Sequence, residues 1–240
     1  MRVLFAITTL DQNNYTKQTL QSISNCPNID IELWDDCSKD PQSVESLGAM
    51  YGTKFYGKSK PKGLTDSWNR IYKRFKKSNY DACFISNNDI VTTDSAIKEM
   101  IKALNIHTLV VPLSSVKSVS GFLEQTTQKY GVADIMASNP FQVGSIQNTL
   151  LRLHKNSPYS KLPRFHGFFF GFNRDIFEQE FDKEHLFNPD CINIGNEDEL
   201  SERLTIRPVV VKTAFVFHYK AVTLGHELEG DRNILARYHK

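Results

Sequence analysis

No long apolar run, no glycine-rich phosphate loop and no paired cysteines occur in these 240 residues, and each absence narrows what the chain does. No window offers the ~20 consecutive apolar residues that a membrane-spanning helix requires. Val3 to Leu10 is too short and too soon polar for a secretion signal, and no A-x-A-like cleavage site follows it. A soluble, cytoplasmic protein is the expectation, with peripheral contact to a membrane surface left open. The four cysteines (Cys26, Cys37, Cys83, Cys191) are widely and irregularly spaced without a C-x-x-C pair. That argues against a disulfide framework or a structural zinc site and suits a reducing compartment. Neither G-x-G-x-x-G nor G-x-x-x-x-G-K-[ST] occurs, which weakens dehydrogenase and ATPase readings. A net charge of +2 makes no case for nucleic acid.

What is present is ordinary globular composition, 40% hydrophobic and 23% charged, in a chain long enough for one large domain or two small ones. Charge is unevenly placed. Residues 54–77 carry nine Lys or Arg against Asp66, and residues 175–202 carry ten acids against Lys183. Two readings of these runs stand side by side: solvated helix faces, or a basic surface for a phosphate-bearing ligand.

Periodicity divides the chain. Val3–Thr8 is apolar nearly throughout, as a strand buried on both faces should be. A weakly amphipathic helix over 15–25, a strand at Ile31–Trp34, a short helix carrying Val44, Leu47 and Tyr51, and a strand near Thr53–Tyr56 follow. Trp68, Ile71, Tyr72 and Phe75 then repeat at helical spacing with Lys and Arg opposite. The strand Ala82–Ser86 precedes a helix capped by Asp94, with Ile97, Met100, Ile101 and Leu104 inward, and Leu109–Leu113 is the next strand. Such β/α alternation predicts a parallel, doubly wound sheet over the first 113 residues. From Ser114 to Arg164 the pattern decays, leaving one modest helix near Ile146–Leu153; a lid or an insert fits a stretch of that kind. Phe165–Phe172, a helix from Glu197 to Leu204 and a strand Val209–His218 restore order. The last twenty residues read as polar and peripheral.

Polar patches close several of these strands, where open α/β sheets form their ligand crevice. Thr8-Thr9-Leu10 ends the first strand. Asp35-Asp36-Cys37-Ser38 ends the second, and a carboxylate there can accept the imide N–H of uracil or thymine. The same residues also make a common Asp/Ser turn. Asn87-Asn88-Asp89 emerges after Ala82–Ser86. Asp89 offers hard oxygens to Mg²⁺ or Mn²⁺, and an Asn/Asp turn is the plain alternative. Asn196 reads as an N-cap, with Glu197, Asp198 and Glu199 in the first helical turn, where the dipole favours acids in any case. The same dipole suits Asp198 to accept a proton from a hydroxyl. His218 closes the last strong strand, a fair position for a metal ligand.

Taken together, Thr8-Thr9-Leu10, Asp35-Asp36-Cys37-Ser38, Gly63 with Asn69, Asn87-Asn88-Asp89, His166-Gly167-Phe168, Gly195-Asn196-Glu197-Asp198 and His218 resemble the family-2 glycosyltransferases of the GT-A fold. The match spans roughly residues 3–218, excluding much of 114–164. The Asn-Asn-Asp variant of the D-x-D motif looks like that of rhamnosyltransferase-like members. The resemblance implies one Rossmann-like, mostly parallel sheet flanked by helices, with residues 1–113 as the nucleotide-sugar half and 114–240 as the acceptor and catalytic half of the same domain. It implies that Thr8, Thr9, Leu10 and Asp36 meet the base, and that Lys62, Gly63, Asn69, Asn87, Asn88 and Asp89 lie along the rest of the donor. Lys60 and Arg70 are further cations within reach of its phosphates. Asp89 and His218 would hold Mn²⁺ or Mg²⁺, weakly, since Asn87 replaces an acid. His166, Gly167 and Phe168 fall on the acceptor side. Asp198, beside Glu197, is the implied base of an inverting transfer from a UDP- or dTDP-sugar, rhamnose among the candidates, to a glycan or glycoconjugate hydroxyl.

Two rivals are weighed against it. A sugar nucleotidyltransferase would carry a Gly-rich basic loop after the first strand, and Thr8–Tyr15 holds neither Gly nor Lys. A nucleotide- or glycan-binding module that has lost turnover fits the incomplete D-x-D but not the intact Glu197-Asp198.

Overall fold

A computed structural model describes residues 1–193 and 195–220. The expectation for the last twenty residues concerns 221–240, outside the described residues. Strands β1 (Val3–Thr9), β2 (Ile29–Asp35), β3 (Lys54–Tyr56) and β4 (Ala82–Asn87) alternate with helices α1 (Asn13–Ile23), α2 (Pro41–Met50) and α3 (Leu64–Lys76). The short β5 (Ile90–Val91), α4 (Asp94–Leu104) and β6 (Leu109–Leu113) follow. The second half supplies α5 (Asp134–Ala137), α6 (Val143–His154), β7 (Tyr159–Lys161), β8 (Phe169–Asn173), α7 (Asn196–Arg203), β9 (Val209–Phe215) and β10 (Phe217–His218).

Eight strands make one sheet in the order β3-β2-β1-β4-β8-β6-β9-β7. The β3, β2, β1 and β4 pairings are all parallel. β8 then enters antiparallel between β4 and β6, β9 runs parallel to β6, and β7 closes the edge antiparallel. The mostly parallel α/β sheet predicted from alternation is therefore present, and its two halves interlock because β8 comes from the second. Two apolar layers cover its faces, one around Trp68, Tyr72, Phe170 and Phe187, the other around Phe5, Phe84, Phe169 and Met100. Burying each large aromatic contributes about 1.5–3 kcal/mol, so these layers hold the strand ends in register.

Helix α3 shows how sequence becomes position. Trp68, Ile71, Tyr72 and Phe75 are fully buried, Asp66 sits in the first turn, and Lys73, Arg74 and Lys76 occupy the last, each with the sign the dipole prefers. Its N-cap is Gly63 at φ 87°, which a side chain would adopt only with strain. A Cβ there would also lie 2.6 Å from Ile192 Cγ2 and 2.9 Å from the Ile192 carbonyl.

Three local readings change. Thr93, in extended conformation, caps α4 by accepting from the Ala96 amide at 3.1 Å, while Asp94 lies inside the first turn and pairs with Lys98. Gly195 at φ 82° caps α7, while the Asn196 side chain donates from Nδ2 to Thr65 Oγ1 at 3.1 Å. The single strand expected over 209–218 splits at Val216. A register shift between Pro112 and Leu113 leaves Leu113 opposite Phe215, the Val216 amide bonds to the Leu113 carbonyl at 3.0 Å, and β10 then turns aside to join β5 antiparallel, His218 opposite Ile90.

Candidate active site

The carboxyl ends of β1, β2 and β4 lie side by side, Thr8 opposite Trp34 and Asn87, Thr9 opposite Asp35. Because β8 runs the other way, the residues just before it reach the same edge, and the Asn87 amide donates to the Phe168 carbonyl at 2.9 Å. The β5–β10 ribbon brings His218 to that edge as well. Thr8, Thr9, Asp36, Asn87, Asn88, Asp89, His166, Gly167, Phe168 and His218 thus converge from five separated stretches of chain.

Several of these polar groups are already committed inside the protein. Thr8 Oγ1 donates to the Ser86 carbonyl at 3.1 Å. Asn88 Nδ2 reaches Thr9 Oγ1 at 3.2 Å, Thr16 Oγ1 at 2.9 Å and the Asp11 carbonyl at 3.4 Å. Asn69 clasps the backbone of Phe187, donating to its carbonyl at 2.9 Å and accepting from its amide at 3.0 Å. Asp35 is fully buried, binds the Ser38 amide at 2.9 Å and the Ser38 hydroxyl, and has its pKa raised by burial. These residues fix the turns. The amides of Leu64 and Thr65 at the start of α3 are likewise taken, by Asn193 Oδ1 at 2.9 Å and the Ile192 carbonyl at 3.1 Å. Gly63 and Asn69 therefore face the 187–193 segment, and Leu10 lies half-buried past the end of β1.

Asp36 differs. Only 7% exposed, it binds the side chain of Lys58 at 2.7 Å, and Lys58 also pairs with Asp66 Oδ2 at 2.8 Å. Sequence reasoning passed over Lys58 as one cation in a basic run. Its signal was weak, because burial of a lysine beside two carboxylates depends on a loop closing over β2. Lys60 and Lys62 are exposed, although the Lys62 backbone amide also reaches Asp36 Oδ1 at 3.3 Å. Arg70 lies over the Trp34 ring and donates to the Gly57 carbonyl.

A cavity of about 160 Å³ opens at the edge, lined in part by Trp68, Asn87, His166, Gly167, Glu197, His218 and Lys220. Glu197 accepts from the Gly167 amide at 2.9 Å; burial, then the neighbouring charge of Asp198, pushes its carboxyl above the usual range. A Cβ on Gly167 would sit 2.7 Å from Glu197 and 2.8 Å from Trp68, so only glycine admits this approach. Burial lowers the His166 pKa, Arg164 reinforces the effect, and the Asp198 charge opposes it. Asp198 is outside the lining, on the exposed rim, ion-paired with Arg164 at 3.1 Å. It is close enough to act on a ring that lines the cavity.

Asp89 and His218 face each other, Oδ1 to Nε2 at 3.2 Å, both nearly buried, with Phe168 stacked on the imidazole at 4.8 Å between centroids. No group of three His, Cys, Asp or Glu side chains with metal-site geometry occurs among the described residues. An oxygen and an imidazole nitrogen suit Mn²⁺ or Mg²⁺ when phosphates and water complete the shell. His218 Nδ1 is buried without a partner among the described residues, so moving the ring proton onto it would leave a donor unpaired there. The pair fits a divalent ion held weakly.

Strained backbone marks the same edge. Asp11, Gln12 and Cys37 have φ of 55°, 58° and 71°, and Ser120 and Lys220 have 49° and 58°. Five non-glycine residues in the left-handed region around one crevice are strain of the kind that collects at ligand sites. No described helix is long and apolar enough to cross a membrane.

No family model matches the chain, and no curated protein matches it. Solved structures do. GalNAc-T7 with UDP, GalNAc and Mn²⁺ superposes with a TM-score of 0.63 at 14% identity, over 91% of this chain and 44% of that one. The mannosyltransferase PcManGT from Pyrobaculum calidifontis, in complex with GDP-Man and Mn²⁺, gives 0.60 at 13% identity, over 99% of this chain and 63% of that one. TarS 1-349 from S. aureus gives 0.60 at 12% identity, over 92% and 61%. The chain thus spans between 44% and 63% of the length of these proteins. At such identities the likeness establishes a shared fold, the GT-A architecture.

Proposed function

We propose that the chain moves a sugar from a nucleotide diphosphate donor to a hydroxyl of a glycan or glycoconjugate, with inversion at the anomeric carbon. The observation that carries this reading is the convergence of Asp36, Asp89 with His218, and Glu197-Asp198 on one edge of a GT-A sheet. Neighbours of that fold were solved with UDP, GDP-Man or UDP-GlcNAc. The Asn-Asn-Asp pattern keeps rhamnosyltransferase-like chemistry among the candidates.

Each group then has a task. Asp36 takes the N–H of the base. Asp198, exposed on the rim at the start of α7, removes the acceptor proton as it attacks, a service worth roughly 10²–10⁴ in rate. Arg164 donates to that carboxylate at 3.1 Å. Glu197, hydrogen-bonded to Gly167, fixes the wall against which the sugar packs. Asp89 and His218 would hold Mn²⁺ or Mg²⁺, which when bound supplies positive charge to the diphosphate leaving group. Inversion needs one base and no covalent nucleophile, and Asp198 is the accessible carboxylate of that helix start.

The purified chain should release nucleoside diphosphate from a UDP- or dTDP-sugar, faster with acceptor and with Mn²⁺ than with EDTA, giving product of inverted configuration by NMR. Retention of configuration would refute the assignment of Asp198. A second reading rests on Asn87 standing where an acid would complete the metal site: a module that binds the donor without turnover. Tight binding with no product under all metal conditions would select it.

A further inference from the structure

The contacts of Asp36 reach beyond its general role to the choice of base, an inference that rests on the proposed function. A carboxylate has two oxygens, each with two lone-pair directions. On Asp36 Oδ1 both directions are used, by Lys58 Nζ at 2.7 Å and by the Lys62 backbone amide at 3.3 Å. Oδ2 receives no hydrogen bond among the described residues. Lys58 is not free to swing away. Its ammonium donates to Asp36 Oδ1 and to the Gly63 carbonyl at 3.3 Å and is ion-paired with Asp66 Oδ2 at 2.8 Å, and its side chain is 5% exposed. Unpairing such a buried cation is strongly unfavourable.

We infer that Lys58 is a positioning residue that leaves Asp36 one oxygen, Oδ2, for the ligand, and so selects a uracil or thymine nucleotide over a guanine nucleotide. Uracil and thymine offer a single imide N–H between two carbonyls, which one oxygen satisfies. Guanine offers adjacent N1–H and N2–H donors that match both oxygens of a carboxylate. With Oδ1 filled, one guanine donor stays unpaired in a site nearly closed to water, which is costly. Cytosine and adenine present a ring-nitrogen lone pair where uracil presents its N–H, and that lone pair meets the carboxylate repulsively.

Isothermal titration of the whole chain with UDP, dTDP, GDP and CDP reads this directly. UDP or dTDP should bind at least tenfold more tightly than GDP and CDP. Lys58→Met, which opens one of the two directions on Oδ1 while keeping the stem, should narrow the UDP-to-GDP ratio about tenfold; Lys58→Arg should preserve it. A parent protein that binds GDP as tightly as UDP overturns the inference and leaves the proposed function standing. So does an unchanged ratio in a folded Lys58→Met variant. Should that variant not fold, the parent panel decides alone. Absence of binding by all four nucleotides overturns the proposed function and this inference together.

Discussion

The two sides of the crevice use their polar residues in opposite ways. On the β1–β2–β4 side, Thr8, Thr9, Asn88, Asp35 and Ser38 bond to one another and to backbone. On the α7 side, Asp198 and Arg164 are about half exposed and paired with each other, and Arg164 also lies over the Phe122 ring. The first arrangement makes a rigid rim in which Asp36 Oδ2 receives no hydrogen bond among the described residues. The second leaves Asp198, the proposed base, open to an incoming hydroxyl. Rigidity suits recognition of a base of fixed shape, and exposure suits chemistry on a second substrate that must arrive and depart.

Variants on each side test that contrast. The largest effect belongs to Asp198→Asn, which should lower transfer by roughly 10²–10⁴ while leaving nucleotide affinity within a few-fold, measured by steady-state kinetics beside titration. Equal losses in both would place Asp198 in binding instead. Gly167→Ala comes next. Its methyl must displace Glu197 and Trp68, at a cost of about 1–3 kcal/mol, read as a lower thermal midpoint. Asn88→Ala removes three donor contacts from the rigid rim and should cost about 1–3 kcal/mol of stability with weakened nucleotide binding. Loss of turnover without either change would contradict the structural role given to Asn88.

A smaller effect follows from Glu197. Its folded pKa lies above the ordinary carboxylate value, so the folded state holds the proton more tightly than the unfolded chain. Stability from this group is complete below the ordinary Glu value and is lost as pH rises through the folded one. Glu197→Gln keeps an acceptor for the Gly167 amide without a charge to bury. Its thermal midpoint relative to the parent should therefore rise from pH 4 to pH 8, and a flat difference across that range would exclude the buried charge as cause.

The charged runs show where reading residues in order stops. Residues 54–77 and 175–202 were legible as basic and acidic, with solvated faces or a phosphate surface as their meanings. The fold adds a third. Lys73 pairs with Glu184 at 3.0 Å, and Lys76 with Glu180, which also takes the Tyr72 hydroxyl. The exposed pairs contribute little each, about 0–1 kcal/mol, yet they align the segment after β8 along α3. Lys58, from the same run, goes instead to Asp36. Nothing local distinguishes Lys58 from Lys60, because the distinction is which of them the loop carries over the end of β2. The stretch 114–164 was opaque for a related reason. Its short turns are held by distant partners, such as Ser114 on the Val216 carbonyl and Gln147 across the Thr213 carbonyl and Phe215 amide.

Periodicity and strand-end chemistry, both local properties, were enough to determine the alternating α/β sheet and the residues delivered to its edge. Helical spacing in α3 and α4 and apolar runs in β1 and β4 state which face must leave water, whatever lies opposite. Tertiary structure alone decided the insertion of β8 between β4 and β6, the turning aside of His218 into a separate ribbon, and the division of labour between Glu197 in the cavity and Asp198 on its rim. Those outcomes depend on which surfaces close over which strand ends, and that is set by contacts between residues 30 or more positions apart in the chain.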